Sequence, residues 1–178
     1  MQSFRRITSA LLVCLALGCA PGAASQSAAA KPGPVPQAEP PIEIVSPASP
    51  LPVAAVVRAG SFARSHASPA GVSGRFARVL RDARVFSAVG DAPGAAPSWE
   101  LQVGAADYGE PNAYTFELNV LVLRGKDFVS SYASKQSKRT TGKAQLTLGP
   151  EQLGELAERA IRDVVRQIAA DTERLSKL

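Results

Sequence analysis

Residues 99–108 read Trp99-Glu100-Leu101-Gln102-Val103-Gly104-Ala105-Ala106-Asp107-Tyr108. Trp99, Leu101, Val103 and Ala105 fall on one side, and Glu100, Gln102, Gly104 and Ala106 on the other. Successive side chains of a β-strand point to opposite faces, so this alternation predicts a strand with one face on a core and one in water. Gly109-Glu110-Pro111-Asn112 follows as a turn. A second strand then begins, with Tyr114, Phe116, Leu118, Val120 and Val122 in an apolar row and Thr115, Glu117 and Asn119 opposing it. Leu121 and Leu123 break the polar side of that pattern. Gly125-Lys126-Asp127 is a hairpin turn, and Phe128 to about Gln136 is a more polar strand suited to a sheet edge. Lys135, Lys138 and Arg139 fit the charged blunting of such an edge.

Working outward, Pro52–Arg58 contains the short β-branched run Val53-Ala54-Ala55-Val56-Val57, a candidate buried strand. A loop through His66 leads to Ser68-Pro69, an N-cap followed by a proline at the first helical position. Val72, Phe76, Val79, Leu80 and Ala83 share one face of the resulting helix, while Arg75, Arg78 and Arg81 point elsewhere. Phe86 and Val89 extend the apolar contacts beyond its end. Near the C-terminus, Gly149-Pro150-Glu151 opens a long helix. Leu153, Leu156, Ala157, Ala160, Ile161, Val164, Val165 and Ile168 keep the three-four spacing of one buried stripe. The element order is β-α-β-β-β-α. It predicts an α+β two-layer sandwich: a mixed four-stranded sheet, its first two strands parallel, with two helices on one face.

The N-terminus has a different character. Arg5 and Arg6 precede an uncharged, mostly apolar run from Ile7 to Leu17, followed by Gly18 and Cys19. Charge, short apolar stretch and small residues in that order form the signal-peptide pattern, and the run is too short for a stable membrane span. Leu15-Ala16-Leu17-Gly18-Cys19 resembles the lipobox of bacterial lipoproteins, although Ala16 stands three residues before the cysteine where leucine is commonest. The resemblance implies cleavage before Cys19 and a diacylglycerol on its sulfur; no cofactor is expected. Two or more acyl chains hold a protein stably at a bilayer. Ala20, in place of the Asp that retains many lipoproteins at the inner membrane, implies the outer membrane.

Residues 20–52 hold nine of the fourteen prolines and are otherwise rich in Ala, Ser and Gly. Proline removes ladder donors and helix interiors, so this segment is expected to be a disordered tether, with Ile42, Ile44 and Val45 as a possible short strand within it. The organisation read from the chain is a signal peptide at 1–18, a lipidated Cys19 with a Pro/Ala-rich tether to 52, and a periplasmic domain over 53–178. The net charge of +5 includes the two signal arginines. The remainder is a mild surplus that points away from nucleic acid in an exported chain. Cys14 and Cys19 are the two cysteines, so the domain itself has no disulfide and no thiolate metal site.

The architecture resembles that of small envelope lipoproteins, including the lipopolysaccharide-assembly lipoprotein and the auxiliary lipoproteins of ABC-type and intermembrane lipid transporters. The carrying residues are the lipobox, Phe86-Ser87-Ala88-Val89, Trp99-Glu100-Leu101-Gln102-Val103 and the Gly149-Pro150 helix start. Outside the lipobox these motifs are generic, and they imply a fold more than a cargo.

Chemistry is sparse. His66 is the single histidine, set in a loop of Ser, Ala and Gly where it reads as solvated, and no Gly-x-Ser-x-Gly elbow is present. Gly71-Val72-Ser73-Gly74 lacks the lysine and preceding strand of a phosphate-cradling loop. Glu100, Asp107, Glu110 and Glu117 read as the wet face of the sheet. No metal site and no catalysis are expected. Two surfaces remain as partner candidates: Arg75 and Arg78 on the first helix, and Tyr108, Leu121 and Leu123 on the sheet face away from the helices. The expected role is that of a non-catalytic envelope lipoprotein, anchored through Cys19, which binds another envelope component of a transport or assembly system. The alternative is a direct binder of lipid, glycan or peptidoglycan on the open sheet face.

Overall fold

A computed structural model describes residues 40–62, 64–90, 98–110, 112–139 and 148–178. The signal segment, Cys19 and most of the tether lie outside the described residues. Glu39–Leu178 forms one compact unit with its own core. Its elements are β1 (Leu51–Ala59), α1 (Pro69–Asp82), β2 (Phe86–Gly90), β3 (Ser98–Glu110), β4 (Ala113–Arg124), β5 (Asp127–Arg139), α2 (Pro150–Ala170) and a single turn, α3 (Thr172–Leu175).

The sheet has five strands, in the order β2-β1-β3-β4-β5. This corrects the four-stranded expectation: Phe86–Gly90, read as apolar contacts trailing the first helix, is an edge strand parallel to β1. Strands β1 and β3 are parallel as expected, and β3, β4 and β5 form an antiparallel meander. The crossover helix α1 therefore joins β1 to β2, not β1 to β3. Gly90 lies opposite Val56 and Ser98 opposite Ala54, so β2 ends where β3 begins, on the other side of β1. Those ends are separated by two strand spacings, about 10 Å.

Both helices cover one face. The alternation of β3 and β4 sends Trp99, Leu101, Val103, Ala105, Phe116, Leu118, Val120 and Val122 into the core. They meet Phe76 and Leu80 of α1 and Ile161, Val164, Val165 and Ile168 of α2, all at most lightly exposed. Helix α1 packs on β1 and β2, helix α2 on β4 and β5, and the two helices pack on each other. Ser68 accepts a 3.4 Å hydrogen bond from the Gly71 N–H, the N-cap that the Ser-Pro start predicts. Phe86 and Trp99 meet edge-to-face, 6.2 Å between ring centroids, from the two strands that flank β1.

Among the described residues before β1, 40–50, no strand forms. Pro41, Ile42, Glu43, Ile44 and Ser46 share a cleft with Val79, Asp82 and Ala83 of α1 and Arg162 of α2, and Ile44 packs onto the core. The folded unit thus takes in residues whose proline content assigns them to the spacer. Prolines deny ladder hydrogen bonds but leave Ile44 free to bury its side chain.

Candidate functional site

Past Ala59 the chain keeps company with β3. The Gly60 N–H donates to the Val103 carbonyl at 2.6 Å, Ala105 to Ser61 at 3.0 Å and Asp107 to Arg64 at 2.9 Å. This close approach needs Gly104, where a Cβ would stand 2.9 Å from the Ser61 carbonyl oxygen. The next residues then close onto one side chain. Asp107 Oδ2 accepts Ser65 Oγ–H at 2.6 Å and the His66 backbone N–H at 2.7 Å. Its Oδ1 accepts His66 Nδ1–H at 2.6 Å and the Tyr114 hydroxyl. The Asp107 side chain has no exposed surface, whereas that of His66 is 79% exposed.

An ionised carboxylate only accepts, so it assigns the proton of a neutral His66 ring to Nδ1 and leaves the Nε2 lone pair facing outward. Burial by itself pushes Asp107 upward, but the donors Ser65, Tyr114 and His66 outweigh it and hold the carboxyl below its ordinary range. Burial, then the hydrogen bond to and the charge of Asp107, push the Tyr114 hydroxyl up to about 12. Tyr114 is therefore a donor at any physiological pH.

This cluster stands at the rim of a cavity of about 510 Å³ between the first turns of α1 and α2. Val72, Leu148, Leu153 and Ala157 give it an apolar lining, and Arg75, His66 and Tyr114 bring polar groups to it. Among the described residues no carboxylate lines the cavity.

The acidic set separates. Glu100 faces away from the helices and pairs with Arg58 at 3.6 Å, and Glu110 is exposed. Glu117 accepts from the Tyr108 hydroxyl at 2.6 Å, with Lys135 Nζ 3.4 Å away. Asp107 leaves this wet face altogether and lies on the helix-covered side, a correction to its sequence reading. His66 is likewise no free loop residue. Period two held the clue to the first: Asp107 continues the odd-numbered core row of Trp99, Leu101, Val103 and Ala105, a carboxylate at an apolar position.

The partner-surface candidates occupy two opposite layers. Tyr108 is half-buried on the open sheet face, its hydroxyl receiving Lys135 Nζ at 2.9 Å and its ring under that ammonium at 5.4 Å. Leu121 is 41% exposed on the same face, and half-buried Leu123 sits in register with Phe128, 63% exposed. Arg75 and Arg78 are both exposed on α1; Arg75 lines the cavity and Arg78 does not, and Tyr108 of β3 also contributes to its lining. Among the described residues no three His, Cys, Asp or Glu side chains converge as a metal site, and no helix is long and apolar enough to cross a membrane.

No family model and no curated protein matches the chain. Solved structures overlap it at low similarity. One is a Xanthomonas campestris protein of the family DUF330, at 13% identity and a TM-score of 0.46, over 78% of this chain and 96% of that one. Another is the PelC dodecamer of Paraburkholderia phytofirmans, at 14% identity and a TM-score of 0.46, over 70% and 93%. A chain described as a lipoprotein of Caulobacter crescentus overlaps at 12% identity and a TM-score of 0.35, over 68% and 90%. At this distance they establish neither family nor function.

Proposed function

We propose that this chain is a non-catalytic lipoprotein of the bacterial cell envelope, held at the outer membrane through Cys19, whose folded unit is a binding or accessory subunit of a transport or assembly system. The observation that carries the reading is the run from Arg5 to Cys19: paired arginines, a short apolar stretch and Leu15-Ala16-Leu17-Gly18 directly before a cysteine. The acyl groups hold the chain on the membrane and the Pro-rich segment sets the folded unit away from it. The sheet face opposite the helices, with Leu121, Leu123 and Phe128, is the surface offered to a protein partner.

The anchor is tested by growth with labelled palmitate. Label on the wild-type chain and none on Cys19→Ser supports it, and equal label or unchanged membrane extraction of Cys19→Ser overturns it. A photo-cross-linker at position 121 tests the partner: one defined envelope-protein adduct supports the surface, and an uncross-linked monomer overturns it. A direct ligand-binding role is the second reading. The cavity between α1 and α2 favours it and moves it from the sheet face to the helix layer.

A further inference from the structure

Arg75 stands out among the basic residues of α1. It borders a half-open, largely apolar volume, and its guanidinium lies beside Gly154 of α2, where an added Cβ would come within 3.3 Å of Nη1. Among the described residues no carboxylate reaches ion-pair distance of it. The apolar part of the lining, Val72, Leu148, Leu153 and Ala157, offers a guanidinium nothing to bind. The buried anion Asp107 does not line the cavity and is occupied by Ser65, His66 and Tyr114. Among the described residues the cavity therefore combines an apolar body with the Arg75 cation, which has no ion-pair partner, and the polar groups of His66 and Tyr114 at its rim.

We infer that the cavity between α1 and α2 binds a single-chain anionic amphiphile, with its head group on Arg75 and its alkyl chain against Val72, Leu153 and Ala157. The volume of about 510 Å³ lies within the range of small-ligand sites. Guanidinium pairs with carboxylate or phosphate in a bidentate fork, so a fatty acid and a monoalkyl phosphate satisfy the same chemistry. A neutral alcohol of equal chain length leaves the cation unpaired, and a short acid leaves the apolar lining unfilled. Specificity follows from requiring both halves. The inference is independent of the anchor, because every residue in it belongs to Glu39–Leu178.

The test uses the chain from Ala20 onward, which keeps that whole unit and carries no acyl group, purified without detergent. Calorimetric titration with octanoate and with octyl phosphate is expected to give saturable one-to-one binding by at least one of them. Octanol and acetate are expected to bind at least tenfold more weakly. Preference for octyl phosphate assigns the head group to a phosphate, and preference for octanoate to a carboxylate. Binding is expected to move the amide resonances of Gly71 and Gly154. Arg75→Gln, at an exposed position, should weaken it at least tenfold, and Gly154→Leu should abolish it with the amide spectrum otherwise retained. Absence of saturable binding by both anions overturns the inference. So does affinity that Arg75→Gln and Gly154→Leu leave unchanged.

Discussion

The carboxylate of Asp107 and the imidazole of His66 meet at 2.6 Å, one with no exposed side-chain surface and the other largely in water. Through that contact a charge on the inner side of β3 holds the loop that leads from β1 to α1. Asp107→Asn removes the charge and leaves one acceptor oxygen facing several donors. The variant should lose about 2–3 kcal/mol of stability, as expected when a buried, charge-assisted network is broken. Urea unfolding checks it, and Ser65→Ala should cost about 1 kcal/mol in the same assay.

The same carboxyl sets an acid limit. Its folded-state value is depressed below 3.8, so the unfolded chain takes up the proton first as pH falls. The stabilisation is fully present above the unfolded value and is lost progressively as pH falls through the folded one. Thermal midpoints should therefore fall below about pH 4 more steeply in the wild type than in Asp107→Asn, which carries no proton to gain there. Parallel profiles for the two proteins would count against Asp107 as the responsible group.

Three glycines should respond oppositely to alanine. At Gly104 the new Cβ meets the Ser61 carbonyl at 2.9 Å, and backbone must shift to admit it. A loss of about 1–3 kcal/mol follows. Gly125 turns the β4–β5 hairpin at φ +65, so alanine there should cost about 1–2 kcal/mol. Gly74, inside α1 with nothing within 4 Å of its added Cβ, should gain roughly 0.5–1 kcal/mol. Denaturant midpoints of the three variants give the signs directly.

Tyr132 of β5 donates to Asp171 at 2.6 Å, and Arg174 of α3 grips the same carboxylate at 2.9 Å. Tyr132→Phe should cost about 1 kcal/mol. The loss should be local to the C-terminal turn, so the amide of Leu175 should exchange faster with solvent while those of Leu101 and Val120 follow only the global change. Hydrogen-exchange rates resolve the two.

The meander and the final helix were legible because their patterns are long: one period-two run in β3, another in β4, and an eight-residue apolar stripe in α2. β2 was not. It is five residues, follows α1 without a glycine or proline, and is set up by Arg84 at φ +52, a left-handed turn for which arginine leaves no sequence signal. The His66–Asp107 contact joins residues 41 apart. Composition describes His66 as a loop residue, and only the register of β3 reveals what it faces. Arg75 was legible as a cation on α1, but not as a cation over a cavity, since the packing of α2 creates that space.

One consequence of the strand order concerns synthesis, in which the N-terminal end leads. β1 is the innermost of the parallel strands yet the earliest to emerge, an apolar ribbon with both hydrogen-bonding edges vacant. Its first edge is not satisfied until residues 86–90 follow, and its second waits for β3. During that interval it is the segment most open to pairing with the wrong chain. A nascent molecule of this fold therefore has its greatest need of a holding chaperone before its middle third appears, and its yield depends on how quickly β2 and β3 arrive.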